Sequence, residues 1–241
     1  MELTKCGRKI SKSASTVATT ADPNGPRWAV NCSGGYHHAK ENNGDGFCFY
    51  NDIAIALKKA WKKDSKLKVL YVDLDAHQGD GVAQTLQDEC TKTINERFWI
   101  FDIYGWNNYP SSLPNNEKMR GMMTFNHPVR IGNQNPKGDA YFKTLKTLEN
   151  AIIQTKPDLI FYNAGTDVYE LDPLGGMGLT KQDIINRDAY VFEMAKKYNA
   201  KIVMTFSGGY HSDSAQIIGE SLVNIYQNVM TKEEDLTLEI L

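Results

Sequence analysis

Five short runs of nearly unbroken apolar residues constrain the fold of this 241-residue chain more than any other feature. They are "WAVNC" (28–32), "KVLYVDLD" (68–75), "FWIFDIY" (98–104), "DLIFYNAG" (158–165) and "KIVMTFSGG" (201–209). Runs of strand length that fail to alternate suit strands covered on both faces, as in a parallel sheet flanked by helices. Helical periods lie between them. In "DIAIALKKAWKK" (52–63), Ile53, Leu57, Ala60 and Trp61 fall on one face and the lysines on the other; residues 139–156, 181–198 and 214–230 read as three further helices. Thr180 with Asp183 forms the pattern of a capping box with Asp in the acidic position. The expected fold is a single α/β domain with a mainly parallel sheet and helices on both faces.

Composition narrows the function classes. With 41% hydrophobic and 23% charged residues and a net charge of -2, neither direct nucleic-acid binding nor a membrane partner is expected. The basic run "KKAWKKDSKLK" (58–68) reads as a solvated helix face, since its lysines lie opposite the apolar stripe. No stretch approaches the roughly 20 apolar residues that span a bilayer, and the first twenty residues lack a signal-peptide core. A cytoplasmic location is the default expectation, with the nucleus or secretion into a host cell left open. Cys6, Cys32, Cys48 and Cys90 form no C-x-x-C pair, so a metal would be held by histidines and carboxylates.

The ends of these runs carry the chemistry. In open parallel sheets, ligands bind beyond the carboxyl ends of the strands. "VLYVDLDAHQGDG" ends in Asp73, Asp75, His77 and Asp80; in extended chain the first three would share a face, and such crowded charge calls for a cation. Asp-x-His with Asp167 from another strand end supplies three ligands and leaves a position open, the pattern of a catalytic zinc site. His37 and His38 follow a glycine pair, and Asp73 and Asp80 are the carboxylates that would orient them for acid and base work. Tyr210, after "SGG", is placed to donate to an oxyanion, and the preceding Gly209 permits close backbone approach. His127 and His211 read as structural or peripheral.

Together, "SGGYHHAKENNGDGFCFYND", "VLYVDLDAHQGDG", "FYNAGTDVYELDPLGG" and "FSGGYHSDSA" resemble the zinc-dependent histone deacetylase family of the arginase and deacetylase superfamily. They occur in the family's order from about Trp28 onward, and "NAGTD" is nearest to the class IV and bacterial form. The resemblance implies zinc on Asp75, His77 and Asp167, with His38, backed by Asp80, as general base and His37, near Asp73, as electrostatic partner or acid. It implies a Tyr210 hydroxyl on the substrate carbonyl, and Gly46 with Phe47, Tyr109 and Gly209 about an acyl-lysine tunnel. A structural K+ near Asp73, His77 and Asp102 is also implied. The implied activity is hydrolysis of acetyl or longer acyl groups from protein lysines, with acetyl-lysine peptides and histone tails as partners and a role in chromatin regulation. An acetylpolyamine-type amidohydrolase and a catalytically weak acyl-lysine-binding module are the alternatives.

One departure is large. Only 27 residues precede Trp28, where the family carries an early strand and a substrate-gripping loop, so the reading is a short N-terminal segment (1–27) before a catalytic domain (28–241). Residues 11–25 suggest a helix end and a turn at Pro23 to Gly25, and an uncovered sheet edge would favour homo-oligomers.

Overall fold

Side chains alternate across a strand, so a strand buried on both faces feeds two cores. In this computed structural model, which describes residues 27–90, 97–110, 123–130 and 138–230, the sheet does that. Its strands are β1 (Trp28–Asn31), β2 (Val69–Asp73), β3 (Phe98–Gly105), β4 (Phe125–Val129), β5 (Leu159–Asn163) and β6 (Lys201–Thr205). All pair in parallel, in the order β1-β6-β5-β2-β3-β4. The helices are α1 (Asp52–Lys63), α2 (Asp80–Thr85), α3 (Gln87–Cys90), α4 (Asp139–Leu145), α5 (Leu148–Thr155), α6 (Lys181–Lys197) and α7 (Ser214–Asn224), with a π-helical turn at Ile225–Val229.

Val69, Tyr71, Ile100, Phe161 and Val203 pack against Ile53, Leu57, Ala60 and Trp61 of α1. Leu70, Val72, Ile103, Ile160, Tyr162 and Met204 face the other way, onto α4 to α7. Helix α1 keeps its expected bounds because both ends are marked. The Asn51 side chain accepts from Ala54 N, Asp52 lies in the first turn, and Lys62 and Lys63 lie in the last. The capping box of α6 is present, with Thr180 and Asp183 each accepting from the other's backbone.

From β2 the chain winds outward to β3 and β4, then returns to the other side of β2 with β5 and β6. The switch point therefore lies between β2 and β5, where Asp73 stands level with Asn163.

Several boundaries differ from the sequence reading. The stretch 139–156 is two helices, since Thr144 and Thr147 turn their hydroxyls onto the carbonyls of Ala140 and Thr144 and the helix breaks between them. The stretch 214–230 ends in the π-helical turn. Strand β4, "FNHPV", was not expected. It carries Pro128, which a sheet tolerates at an edge, and β4 is an edge in the described sheet. Strands β2, β5 and β6 stop short of their polar ends, and those ends form the site. Residues 1–26, with the expected turn at Pro23 to Gly25, lie outside the described residues.

Candidate active site

Strand β2 ends at Asp73, and the chain bends at once. The expectation that Asp73, Asp75 and His77 share one strand face is thereby corrected, because the bend separates Asp73 from the other two. Asp75 and His77 join Asp167, which follows β5, in a buried group whose ligand atoms lie within 4.8 Å of one another. The outer oxygens are already used: Asp75 Oδ2 accepts from Ser207 Oγ (2.8 Å) and Gly208 N (2.9 Å), and Asp167 Oδ1 accepts from Ala76 N (2.9 Å). The remaining oxygens converge on His77 Nδ1, at 3.1 Å from Asp75 and 2.9 Å from Asp167.

Two oxygens and one nitrogen, buried and turned inward, fit a divalent cation such as zinc. Without a cation, charge is balanced by a proton. Burial opposes protonation of His77, but Asp167 and Asp75 outweigh it and raise the imidazole to about 10. Burial and the Asp75 charge hold Asp167 up, to about 7.

Asp73 stays in the strand and serves His37. Its Oδ2 takes hydrogen bonds from Tyr71 OH (2.6 Å) and His37 Nδ1 (2.8 Å), and its Oδ1 takes one from Asn163 Nδ2 (3.0 Å). His38 Nδ1 pairs with Asp80 Oδ1 at 2.8 Å, and the two imidazoles lie 4.1 Å apart, centroid to centroid. Their surroundings split them. Burial opposes charge on both, but Asp73 and Asp75 raise His37 well above its ordinary value, while the neighbouring His37 charge adds to burial and lowers His38. The two environments therefore pull apart, His37 toward the protonated form and His38 toward the neutral one. With Nδ1 donating to Asp80, His38 Nε2 carries the free lone pair.

The loop that presents this pair is held by the start of α1. The buried Asp52 carboxylate accepts from Gly35 N (3.0 Å) and Tyr36 N (2.8 Å), and Asn51 Nδ2 donates to Ala39 O (2.8 Å). Both histidines are thus clamped between two consecutive residues of one helix terminus. Burial pushes the Asp52 carboxyl up to about 6.

Gly46 and Phe47, both at positive φ, form a two-residue turn closed by mutual backbone bonds of Asp45 and Cys48. A Cβ on Gly46 would stand 2.4 Å from the His38 ring. Phe47, in a conformation L-residues rarely adopt, is 77% exposed, with its ring 6.1 Å from that of Tyr210. The Tyr109 ring lies 5.1 Å from His38. Tyr109 OH donates to Asp45, whose other oxygen meets Lys40 Nζ at 2.6 Å; Lys40 also lies 3.4 Å from Asp80. Rim and base are therefore connected through Tyr109, Asp45, Lys40, Asp80 and His38. Tyr210 N donates to Asp172 Oδ2 (2.8 Å), and burial with the charges of Asp75 and Asp167 pushes its phenol up, so the hydroxyl remains a donor. Gly209 packs on Thr166, which a Cβ would strike. His127 lies against Phe101, and His211 against Tyr169, apart from this group.

Asp102 of β3 stands beside Asp73, accepts from Gly79 N at 3.0 Å, and has a second buried oxygen without a partner among the described residues. Burial, then the Asp73 charge, raises its carboxyl well above the usual range. An orphaned carboxylate oxygen there fits the cation expected near Asp73 and Asp102. The sequence reading missed Asp52, Lys40, Asp45 and Ser207. "FYND" at a helix start was the available signal for Asp52; the others carry no local signature.

A parallel doubly wound sheet with a buried Asp-His-Asp group at its switch point is the architecture of the arginase and deacetylase superfamily. The histone deacetylase domain matches residues 5–226, and the chain belongs to that family. It is 35% identical over 199 residues to histone deacetylase 2 of Arabidopsis thaliana, covering 82% of this chain and 48% of that protein. It is 30% identical over 189 residues to histone deacetylase 1 of Homo sapiens, covering 76% and 36%. The chain thus spans about half the length, or less, of these curated relatives. The fold is shared with an acetylpolyamine aminohydrolase from Burkholderia pseudomallei, at a TM-score of 0.71 and 21% identity, over 91% of this chain and 60% of that one.

Proposed function

We propose that the chain is the catalytic part of a zinc-dependent hydrolase that removes acetyl or longer acyl groups from lysine side chains of proteins, histone tails among them. The observation that carries this reading is the placing of the Asp75, His77 and Asp167 group beside two Asp-backed histidines whose surroundings push their pKa values in opposite directions. A zinc ion held by those three residues would polarise the amide carbonyl and bring a water's pKa toward neutrality.

The chain's own residues do the rest. His38 Nε2 accepts the proton of the attacking water, and Asp80 on Nδ1 steadies the imidazolium that results. Tyr210 donates its hydroxyl to the carbonyl oxygen as charge grows on it. His37, which Asp73 favours in its protonated form, offsets negative charge at the centre. An imidazolium of the pair then protonates the leaving lysine nitrogen, giving acetate and free lysine. Phe47 and Tyr109 wall the acyl chain's approach, and a K+ beside Asp73 would find a ligand in the Asp102 oxygen that has no partner among the described residues.

The test is turnover. Zinc-loaded chain is given an acetyl-lysine peptide, its long-chain acyl counterpart, an acetylated histone tail and an acetylpolyamine, the substrate class for which the Burkholderia protein of the same fold is named. Release of carboxylate from the peptides, stopped by a hydroxamate, is the expected outcome. Turnover of the polyamine alone would replace the substrate, and none at full zinc occupancy would leave a binding module.

A further inference from the structure

We propose that Arg187, in the middle of α6, is a positioning residue for the metal centre: its guanidinium holds together the two strand-end backbones that carry Asp75 and Asp167. This rests on the metal reading above. Arg187 is fully buried, where a cation is costly unless paired and hydrogen-bonded. Asp188 supplies the pairing, with Oδ1 at 2.9 Å from Arg187 Nε and 2.8 Å from Nη2. That carboxylate is fixed by Tyr162 OH (2.5 Å) and Ser221 Oγ (2.6 Å).

What remains of the guanidinium points at backbone. Nη1 donates to Leu74 O (3.0 Å) and Gly165 O (2.7 Å), and Nη2 reaches Ala164 O at 3.4 Å. Leu74 immediately precedes Asp75, and Gly165 lies two residues before Asp167. Both lie just past the last residues of β2 and β5, Asp73 and Asn163; Leu74 N still donates to Asn163 O at 3.0 Å, and the shared guanidinium continues that link one step further toward the metal-binding side chains. A planar fork with several donors can tie two carbonyls from different strands at once; an ammonium on a flexible stem does this poorly. The Leu74 side chain packs in the core on the α6 side of the sheet, so Arg187 reaches these backbones from the core rather than from the substrate mouth.

Arg187→Lys keeps the charge and loses the fork. Wild type and variant are titrated with Co2+, reading affinity and the visible ligand-field spectrum, with circular dichroism as the check on folding. The expected result is a folded variant that binds cobalt about 10 to 100 times more weakly, the range typical of groups that orient metal ligands, with an altered spectrum. In turnover, kcat falls while KM for the acyl-lysine peptide holds, because Phe47 and Tyr109 are positioned elsewhere.

A folded variant with wild-type affinity and spectrum overturns the inference alone. A wild type that takes up no cobalt overturns the metal reading, and this inference with it. Should Arg187→Lys fail to fold, Tyr162→Phe decides, since it removes only one hydroxyl from the Asp188 partner. Cobalt binding weakened about threefold or more at an unchanged fold supports the role, and unchanged binding overturns it.

Discussion

At the scale of single residues, the proposed reaction divides the site into groups that would touch substrate and groups that aim them. Tyr210 belongs to the first. Tyr210→Phe deletes one oxyanion donor from an otherwise intact loop, so kcat on an acetyl-lysine peptide is expected to fall about 100-fold or more with KM little changed. A rate within threefold of wild type would remove Tyr210 from the reaction. Tyr109 belongs to the rim: Tyr109→Phe frees Asp45 from one partner and is expected to raise KM more than it lowers kcat, since His38 keeps its Asp80 bond. The residues proposed to touch substrate stood out in the sequence because each stands in a short polar string after an apolar run. Those that aim them did not. Arg187 and Asp188 sit in "NRDA" on an amphipathic helix, where an arginine beside an aspartate looks like surface charge; only the fold shows both to be buried. Lys40 and Asp45 are five apart in a loop, and their link to Asp80 exists only after the segments that follow β1 and β2 have been brought together.

At the scale of elements, existence and type were readable, and the ends were not. The apolar runs named five of the six strands, but runs such as "KIVMTFSGG" continue past the last paired residue, because Phe206 still packs on the core after the chain has left the sheet. The unforeseen strand is the one with a proline and a histidine, half buried and at an edge, where pattern is weakest. Helix α6 was legible in full because Thr180 and Asp183 mark its start. That cap gives a stability prediction. Thr180→Ala removes the acceptor for Asp183 N and is expected to cost about 1 kcal/mol, with Thr180→Ser restoring most of it. For a chain of this size that is about 2 to 4 °C in Tm. A loss well under 0.5 kcal/mol in urea unfolding would mean that packing of α6, rather than its cap, sets its start.

At the scale of the whole molecule, strand order was invisible to the sequence, yet it decides the site. Only the switch between β2 and β5 sets Asp167 against Asp75 and His77, while β6, next to β5, brings Ser207 and Gly208 to the outer oxygen of Asp75. A cation there would join loops from several strands and so stabilise the folded state as a unit. At a concentration 100 times its Kd, an ion that binds only the folded chain adds about 2.7 kcal/mol. Chelation is therefore expected to lower Tm by about 5 to 10 °C, restored by zinc. The sign of the pH effect follows from His77. Its folded value, raised to about 10 from about 6.5, means that the metal-free protein gains from the bound proton below about 6.5 and loses that gain as pH rises through 10. The ion must displace this proton, so its affinity should climb about tenfold per pH unit across that window, with about one proton released per ion. Calorimetric zinc titrations at pH 7.5 in buffers of different ionisation enthalpy read the proton directly. Heats that do not change with the buffer would place the ion away from His77.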